Sequence, residues 1–297
     1  MPGIQIVGAG GFLGRNLLQY FKEQEYTVFS TSHQKHLTNS VDTSFLDLLN
    51  PDFQFLPSIA PKIQFSILCS SETNIDKCKN EYKMSETLNV TNTIQLIEKF
   101  WANSITPVFI SSDVVFDGKI GNYSEDANCN PITQYGKQKR FVEKFLIDSK
   151  KPWLIVRLCK VFDVKYKDCT LITSWLDSLR EGKTIKCADD QFISPTYIVD
   201  LCKAIESLIR IGKTGVYHAC SPQIFSRFEL GIKVAQFFQI DQEAVEKCSI
   251  SDFSFIEPRS SFSTLNPQKL ISELDFNFST MENCFDKILY NYENIKS

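Results

Sequence analysis

Histidines are few in this sequence and long apolar runs are missing, and both features exclude classes of function. His33, His36 and His218 are the only histidines among 297 residues, and no spacing of histidine with cysteine fits a zinc site. We therefore expect no metal site. The longest apolar runs fall far short of the roughly 20 residues that cross a bilayer, so we expect no membrane partner. The N-terminus lacks a cationic leader with a cleavage site, so we expect no signal peptide.

The sequence also lacks a basic block and a regular framework of cysteines. Its formal net charge of -3 gives no reason to expect nucleic acid as a partner. The ten cysteines are scattered, mostly singly within apolar runs, as at Cys69, Cys159, Cys202 and Cys220. This pattern is typical of buried thiols in a reducing compartment. The predicted location is the cytoplasm.

Short apolar runs alternate with segments of helical period in the first half of the chain. Strands separated by helices indicate βαβ units. The expected fold class is therefore α/β, a Rossmann-type doubly wound parallel sheet whose ligands bind beyond the carboxyl ends of the strands. The predicted strands are Ile4–Val7, Thr27–Ser30, Phe65–Leu68, Pro107–Ile110 and Trp153–Val156, and the predicted helices are Phe12–Gln24, Lys83–Phe100 and Gln134–Ile147.

The alternation weakens after about Cys159. We interpret the rest as a smaller C-terminal substrate-binding lobe, with some segments returning to the sheet. The predicted domains are residues 1–160 and 161–297, and no repeat or low-complexity linker marks their boundary. The predicted helices here are Leu171–Arg180, Thr196–Ile211 and Phe228–Phe238, and the strands are Thr184–Cys187 and Gly215–His218.

A glycine turn follows the first predicted strand and precedes a helix. It reads Gly8-Ala9-Gly10-Gly11-Phe12-Leu13-Gly14. Gly8 permits a tight turn, Gly11 lets the backbone approach a pyrophosphate, and Gly14 allows the helix to pack closely on the sheet. The amides and the dipole at the helix start favour a dinucleotide diphosphate. The spacing resembles that of short-chain dehydrogenases and makes residues 1–160 an NAD(P)-binding domain; the alternative is a turn that binds nothing.

The end of the second strand decides between NAD and NADP. An NAD enzyme usually places a carboxylate there, against the ribose 2′-hydroxyl. This chain instead has Ser30-Thr31-Ser32-His33-Gln34-Lys35, whose hydroxyls and cations could hold a 2′-phosphate. NADP is the predicted cofactor, with NADPH preferred over NADH. The alternative is that His33 and Lys35 belong to a solvated loop.

A tyrosine and a lysine, Tyr135 and Lys139, lie four residues apart on one helix face. A tyrosine with a pKa of about 10 is a poor acid–base catalyst at neutral pH unless a cation stabilises its phenolate, and Lys139 can supply that charge. Ser112 follows a predicted strand, where its hydroxyl could orient a carbonyl while Tyr135 delivers a proton. The alternative for the Tyr–Lys pair is an ordinary exposed helix turn.

Across nearly its whole length the chain resembles the dTDP-4-dehydrorhamnose reductases. The family's STDYVFDG segment is similar to the residues from Ser111 to Gly118, and its YGxxKxxxE segment is similar to Tyr135-Gly136 followed by Lys139 and Glu143. Further similarities are Leu88-Asn89-Val90, Asp190-Gln191, the residues from Ser194 to Tyr197, and Arg259 with Ser263 and Leu265.

The resemblance implies a role for each matching residue. Ser112, Tyr135 and Lys139 would form the catalytic triad. Asp47 would meet the adenine, although a turn carboxylate is the alternative, and Arg259 would contact a diphosphate or form a surface ion pair. The predicted cofactor-binding residues are Gly8, Gly10, Gly11, Phe12, Leu13, Gly14, Ser30, Thr31, Ser32, His33, Asp47, Leu48, Cys69, Ser70, Ser71, Tyr135 and Lys139; the predicted substrate-binding residues are Ser112, Asp113, Val114, Lys160, Gln191 and Arg259.

The resemblance implies NADPH-dependent reduction of the 4-keto group of a nucleotide-activated 4-keto-6-deoxyhexose by a monomer or homodimer. Three segments depart from the family's pattern: Val114 replaces an aromatic residue, Arg157-Leu158-Cys159-Lys160 replaces RTSW, and Leu68-Cys69-Ser70 replaces NAA. The first two segments normally help to shape the sugar pocket.

Two alternatives stay open. A nucleotide-sugar epimerase or dehydratase usually carries an Asp-Glu pair after the catalytic hydroxyl residue, whereas Ser112 is followed here by Asp113 and Val114, which favours a reductase. A non-catalytic NADP-binding subunit is the other alternative, because the regulatory beta subunit of methionine adenosyltransferase looks equally similar around the residues from Ser111 to Gly118.

Overall fold

The computed structural model describes residues 2–38 and 42–294, and the chain divides into two compact units. The first unit comprises Met1–Asp117, Asn128–Arg157 and Cys202–Tyr217. The second comprises Gly118–Ala127, Leu158–Leu201 and His218–Ser297.

The strands, in chain order, are β1 (Ile4–Val7), β2 (Val28–Ser32), β3 (Thr43–Phe45), β4 (Phe65–Leu68), β5 (Thr106–Ser112), β6 (Leu154–Leu158), β7 (Val161–Phe162), β8 (Ile185–Ala188), β9 (Phe192–Ile193), β10 (Thr196–Tyr197), β11 (Gly215–His218), β12 (Phe225–Ser226), β13 (Val245–Cys248) and β14 (Phe262–Ser263). The helices are α1 (Phe12–Glu23), α2 (Leu56–Ile59), α3 (Ile75–Asn80), α4 (Tyr82–Glu86), α5 (Asn92–Ala102), α6 (Gln134–Asp148), α7 (Leu171–Arg180), α8 (Ile198–Arg210), α9 (Arg227–Phe237), α10 (Gln268–Leu274) and α11 (Met281–Glu293). Among the residues described, none of the helices is long and apolar enough to cross a membrane.

A seven-stranded sheet organises the first unit, with the order β11-β6-β5-β4-β1-β2-β3. The pairs β1–β2, β1–β4, β2–β3 and β4–β5 are parallel. All residues of β1 and β6 are buried, as expected for strands covered on both faces. The strand order reverses direction at β1, which is the place where doubly wound sheets bind their ligands. The predicted α/β fold with a Rossmann-type parallel sheet is therefore confirmed.

The predicted elements agree closely with the observed ones, with one exception. β1, β4, β11 and α7 have the predicted bounds, and most others differ by one or two residues at an end. The single helix predicted over Lys83–Phe100 is wrong, because a π-helical turn at Thr87–Thr91 separates α4 from α5. The side chain of Asn89, on this turn, is buried and hydrogen bonded to other segments. Single π turns are frequent at functional sites.

Sequence reasoning missed the helices α10 and α11 and several short elements, namely β3, β7, β9, β10, β12, β13, β14, α2 and α3. β3 is a three-residue edge strand without apolar alternation, so it carried no signal. The signal for α11 was present: Thr280 caps its first turn and the buried side chains follow helical spacing. Those side chains are Met281, Cys284, Phe285, Ile288 and Tyr292.

The second unit has an apolar core of its own. α7, α9 and α11 pack their buried side chains together with β8 and β13, which form a parallel pair. β9 lies between β12 and β14, and the rings of Phe192 and Phe262 stack with centroids 5.1 Å apart. The substrate-binding role expected for this part of the chain stays a prediction.

The ten cysteines are free thiols. Cys159, Cys202 and Cys220 are buried, as their apolar sequence context predicts, whereas Cys69 is only half-buried. Burial raises the pKa of most of these thiols, for example that of Cys187 to about 12, so they stay protonated at neutral pH.

A buried ion pair connects α6 to β6. The Arg157 guanidinium donates to both carboxylate oxygens of Glu143, at 2.8 and 2.9 Å, and both side chains are almost completely buried. Arg140, one-third exposed, donates to the same carboxylate at 3.1 Å. Because a buried charge is costly without its partner, Glu143 and Arg157 together hold α6 against the sheet.

We expect Glu143→Ala to lower the free energy of unfolding by about 3–5 kcal/mol, because the buried Arg157 would lose the carboxylate that it contacts at 2.8 and 2.9 Å. Arg140→Ala removes only the one-third exposed partner of the same carboxylate and should lower the free energy of unfolding by under about 1 kcal/mol. Urea unfolding, followed by circular dichroism, measures the free energy of unfolding of both variants. Equal losses in the two variants would show that the buried pair does not hold α6.

Candidate active site

The glycine turn after β1 has the geometry that the sequence predicts. Gly8 has a φ of +87°, and a Cβ atom there would lie 2.4 Å from Ser70 Oγ. The amides of Gly8 and Ala9 donate to the carbonyl oxygen of Thr31, at 3.1 and 2.8 Å. A Cβ atom at Gly14 would lie 2.2 Å from the carbonyl oxygen of Gly8, so only glycine lets α1 approach the turn this closely.

Gly11 differs from Gly8 and Gly14 because a Cβ atom at this position would not clash with the protein. It is exposed, and a Cβ atom there would lie 3.5 Å from the carbonyl oxygen of Gly8, which is ordinary van der Waals contact. Gly11 is also the N-cap of α1 and supplies no side-chain cap, so amides of the first turn have no intrahelical acceptor. Gly10, Phe12 and Leu13 belong to the same turn. The segment therefore fits the diphosphate of a dinucleotide.

The hydroxyl groups at the end of β2 mostly form hydrogen bonds within the protein. Ser30, Thr31 and Ser32 are buried. Ser30 Oγ lies 2.8 Å from Thr43 Oγ1, and Ser32 Oγ accepts a hydrogen bond from the amide of Gln34 at 3.0 Å. His33 and Lys35 are exposed, so these two side chains are accessible to a 2′-phosphate.

Asp47 and Leu48 follow β3. Asp47 is half-buried and its Oδ1 accepts from the amide of Leu49 at 2.9 Å, which is the turn role that the sequence left open. Leu48 is buried, and its carbonyl oxygen accepts from Asn92 Nδ2 at 2.6 Å. The contact of Asp47 with an adenine stays a prediction.

α6 carries Tyr135 and Lys139 and lies against the turn that follows β5. Thr133 caps the helix by accepting from the amide of Gly136 at 3.1 Å. A Cβ atom at Gly136 would lie 2.1 Å from the carbonyl oxygen of Val114, so the close approach requires glycine. The start of α6 is thereby held beside the turn that begins at Ser112.

Lys139 is buried and reaches across to β5. Its Nζ donates to the carbonyl oxygen of Ile110 at 3.0 Å, and lies 4.7 Å from the ring centroid of Phe109 and 5.6 Å from that of Tyr135. Burial lowers the pKa of Lys139 to about 8, because the ammonium has lost most of its hydration. The ammonium is thus held beside the tyrosine, as the four-residue spacing predicts.

Ser112 ends β5 and caps the short turn Asp113–Val115. Its hydroxyl donates to Asp113 Oδ1 at 2.7 Å and its oxygen lies 3.4 Å from the amide of Val114. Ser112, Asp113 and Val114 are half-buried, so each has a surface that a ligand can reach. The Ser112 hydroxyl has a carboxylate acceptor already and must turn away from it to orient a carbonyl.

The pKa of Tyr135 is raised above its ordinary value, first by burial and then by the negative charge of Asp113. A hydrogen bond with Ser71 acts in the opposite direction. Lys139 does not offset the effect of burial, contrary to the expectation that its charge would favour a phenolate. Tyr135 is therefore a neutral phenol at physiological pH, the form that donates a proton.

Ser71 and Asn89 connect Tyr135 to a buried polar network. Asn89 lies at its centre, and sequence reasoning gave this residue no functional role. Ser71 Oγ donates to Asn89 Oδ1 at 2.8 Å, and the amide of Glu72 donates to the same oxygen at 2.8 Å. Asn89 Nδ2 donates to Gln138 Oε1, three residues beyond Tyr135, at 2.8 Å. The available signal was an asparagine within the apolar stretch Leu88-Asn89-Val90.

Ser70 and Cys69 follow β4, beside the glycine turn. Cys69 donates its amide to the carbonyl oxygen of Val7 at 2.9 Å, which extends the β1–β4 pairing. The glycine turn, Ser70, Ser71, Ser112, Tyr135 and Lys139 all belong to the first unit.

The remaining predicted substrate residues lie in the second unit. Lys160 is exposed and precedes β7. Gln191 is buried: its Nε2 donates to the carbonyl oxygen of Ser260 at 3.2 Å, and its Oε1 accepts from Arg227 Nε. Both polar atoms of the Gln191 side chain are thus hydrogen bonded within the protein. Arg259 is half-buried and donates from Nη1 to the carbonyl oxygen of Glu257 at 2.9 Å.

Comparison with known proteins relates this arrangement to one family. The RmlD substrate binding domain matches residues 2–294. The chain is 26% identical over 285 residues to a dTDP-4-dehydrorhamnose reductase of Aggregatibacter actinomycetemcomitans, covering 91% of this chain and 92% of the relative. It is 24% identical over 247 residues to methionine adenosyltransferase 2 subunit beta of Xenopus tropicalis, covering 79% and 72%.

A solved structure shows the same fold. The dTDP-4-dehydrorhamnose reductase of Bacillus anthracis, in complex with NADP, aligns with a TM-score of 0.82 over 98% of this chain and 99% of that one. The two chains are 23% identical, and the likeness therefore concerns the fold.

The two glycines Gly11 and Gly14 make a matched test of the turn. We expect Gly11→Ala to keep the unfolding midpoint and to weaken NADPH binding, because its methyl group would enter the room left for the diphosphate. Gly14→Ala should instead lower the unfolding midpoint, since its methyl group would meet backbone. Nucleotide fluorescence titration and thermal unfolding separate the two. Unweakened NADPH binding by Gly11→Ala would contradict the assignment.

The pKa of Lys139 predicts how cofactor binding depends on pH. The ammonium is charged below about pH 8 and loses its charge above it. If it contacts the nicotinamide ribose, the Kd for NADPH should rise above about pH 8, by up to about tenfold per pH unit. Lys139→Arg stays charged and should lack this rise, whereas Lys137→Arg, at an exposed position of the same helix, should keep it. A flat wild-type profile would contradict the role.

Proposed function

This chain belongs to the family of the RmlD substrate binding domain, and from that membership we propose that it reduces the 4-keto group of a nucleotide-activated 4-keto-6-deoxyhexose. The predicted enzyme class, an NAD(P)H-dependent oxidoreductase of the sugar-nucleotide reductase type, is confirmed by the family and its reductase members, and so is NADP as the cofactor. The particular sugar, its nucleotide and the assignment of catalytic residues are the proposal.

The observation that carries the proposal is the close contact of α6 with the turn after β5. At Gly136 this contact leaves no room for a side chain, and it holds Tyr135 beside the turn of Ser112 and Asp113. The Asp113 charge acts on the Tyr135 phenol, and the Lys139 ammonium lies 5.6 Å from the Tyr135 ring. A proton donor, a second hydroxyl and a cation therefore share one region of the first unit.

Bound NADPH supplies the hydride that adds to the carbonyl carbon. Tyr135, kept neutral by its raised pKa, donates its proton to the carbonyl oxygen, and the product is an alcohol. The Ser112 hydroxyl turns from Asp113 towards the same oxygen and orients it. Lys139 holds the ribose. Its charge does not offset the effect of burial on the resting phenol, but its ammonium lies 5.6 Å from the Tyr135 ring centroid and attracts the phenolate as it forms. The Ser71 hydroxyl, which donates its single proton to Asn89 Oδ1, would have to turn away from Asn89 to donate to that phenolate.

The residue after Asp113 argues against an epimerase or dehydratase. Val114 is apolar and cannot supply the second carboxylate that those enzymes usually place there. The first unit thus carries the groups for one proton transfer to a carbonyl oxygen. The cytoplasmic location and the monomeric or homodimeric state stay predictions.

A second candidate is a non-catalytic NADP-binding subunit that regulates a partner enzyme. The similarity to methionine adenosyltransferase 2 subunit beta favours it. The hydrogen bond of the Ser112 hydroxyl to Asp113 is compatible with such a subunit. A subunit without catalytic activity binds no substrate carbonyl, so this hydrogen bond can stay in place. Turnover separates the two candidates, since only the reductase consumes NADPH.

We expect the purified protein to oxidise NADPH when dTDP-4-keto-6-deoxyhexose is added, and Tyr135→Phe to lower kcat by about 10²- to 10⁴-fold because the proton donor is lost. Tyr82→Phe, which changes an exposed tyrosine, is the matched control and should retain full activity. The decrease in NADPH absorbance measures the rate. Tight NADPH binding without turnover, together with copurification of a partner enzyme in fixed stoichiometry, would contradict the reductase function and support the regulatory subunit.

A further inference from the structure

The exposed face of α11 borders a cavity of the second unit, which we term the α11 cavity. The other face of this helix packs into the core of the same unit. The α11 cavity has a volume of about 590 Å³, within the range of about 300–1,000 Å³ found for small-molecule sites. Val164 and Tyr197 line one side of it. The other side is one face of α11, with Asn283, Asp286, Lys287, Tyr290 and Asn291.

Both sides of the α11 cavity are held in place by hydrogen bonds. Asn291 Nδ2 donates to the carbonyl oxygen of Val164 at 2.9 Å and joins the end of α11 to the segment after β7. The Asp200 carboxylate accepts from the amide and the hydroxyl of Ser279, at 2.7 and 3.1 Å, and so fixes the start of α11. The cavity is therefore preformed, and little affinity is lost to ordering of the protein when a ligand binds.

Asp286 and Lys287 bring one charge of each sign to the α11 cavity. Both side chains are exposed, and neither has an ion-pair or hydrogen-bond partner within residues 2–38 and 42–294. Adjacent helix positions do not face each other, so the two charges do not pair with one another either. Because the charges cancel overall, the cavity favours neither an anion such as a diphosphate nor a simple cation. It fits a polar ligand that is neutral overall.

The two asparagines of the α11 cavity add one donor and one acceptor. Asn283 Oδ1 accepts from Thr280 Oγ1 at 3.0 Å, which leaves its Nδ2 group to donate. Asn291 Nδ2 is bonded to a carbonyl oxygen, which leaves its Oδ1 atom to accept. Together with the carboxylate and the ammonium, the cavity thus offers donors and acceptors side by side. A sugar uses both kinds of group, because each of its hydroxyls donates one hydrogen bond and accepts others.

Tyr290 adds a flat apolar surface to these polar groups. It is 67% exposed, and its hydroxyl has no hydrogen-bond partner among the residues that the structure describes. One face of a pyranose ring consists mainly of C–H groups. Such a face packs on an aromatic ring and removes apolar surface from water, while the sugar hydroxyls stay at the edge. An aromatic platform with donors and acceptors around it therefore matches a saccharide.

We propose that the α11 cavity binds a neutral saccharide that carries no nucleotide, with one sugar ring packed on Tyr290 and its hydroxyls bound by Asp286 and the two asparagines. The inference goes beyond the proposed function, because a nucleotide-linked sugar carries the charge of a diphosphate and the Asp286 carboxylate would repel it. All residues of the cavity belong to the second unit, whereas Tyr135 and Lys139 belong to the first. Glycosyl transfer, which consumes activated sugars, produces glycan chains of the kind that this cavity would hold.

The test measures binding of the methyl glycosides of glucose, galactose, mannose and rhamnose by saturation-transfer NMR and titration. We expect wild-type protein to bind at least one of them. Tyr290→Ala should raise its Kd by about 3- to 10-fold, the usual effect of losing one aromatic contact, and should keep the unfolding midpoint because the side chain is exposed. Tyr290→Phe keeps the ring and should retain binding. Tyr82→Ala, at a 48% exposed tyrosine of the first unit, is the matched control.

Two competitors separate this cavity from other sites. dTDP should not displace the bound glycoside, and displacement would show that the glycoside occupies a nucleotide-sugar site. Alanine, a zwitterion, should not displace it either, and displacement would show that the two charges select an amino acid. Either result would overturn the proposal, as would equal Kd values in Tyr290→Ala and Tyr82→Ala or wild-type protein that binds none of the four glycosides. Keto-sugar turnover is measured separately, so failure of the reductase function leaves this test unaffected.

Discussion

The contact between α6 and the turn after β5 is the constraint on which the candidate site depends. Gly136 has no room for a Cβ atom because the carbonyl oxygen of Val114 occupies that position. The same helix reaches β5 through Lys139 and β6 through Glu143. These contacts set the height and rotation of α6, and with them the position of the Tyr135 hydroxyl.

The buried charges of α6 are stabilised in two different ways. Glu143 has a bidentate guanidinium partner, so both members keep their charges in a buried place. Lys139 donates to a carbonyl oxygen and lies against two aromatic rings, and burial lowers its pKa to about 8. The first arrangement holds the helix in place. The second leaves a cation that is easily discharged, and such groups are common at functional sites.

The π turn at Thr87–Thr91 supports the same region from the other side. It turns Asn89 into the space between the segment after β4 and α6, where its amide bonds to Ser71, Glu72 and Gln138. A regular helix would present a different side chain at that place. The network thereby couples the Tyr135 hydroxyl, through Ser71, to the backbone that follows the glycine turn.

The sequence by itself determined the α/β class, most strand and helix bounds and the glycine turn, because these follow from local periodicity and from the steric freedom of glycine at Gly8 and Gly14. It also placed Tyr135 and Lys139 on one helix face. Only the tertiary structure decided that burial and Asp113 raise the pKa of Tyr135, that the Ser112 hydroxyl donates to Asp113, and that the Gln191 side chain is hydrogen bonded within the protein. Burial and hydrogen-bond partners arise from residues distant in sequence, so no local pattern could reveal them.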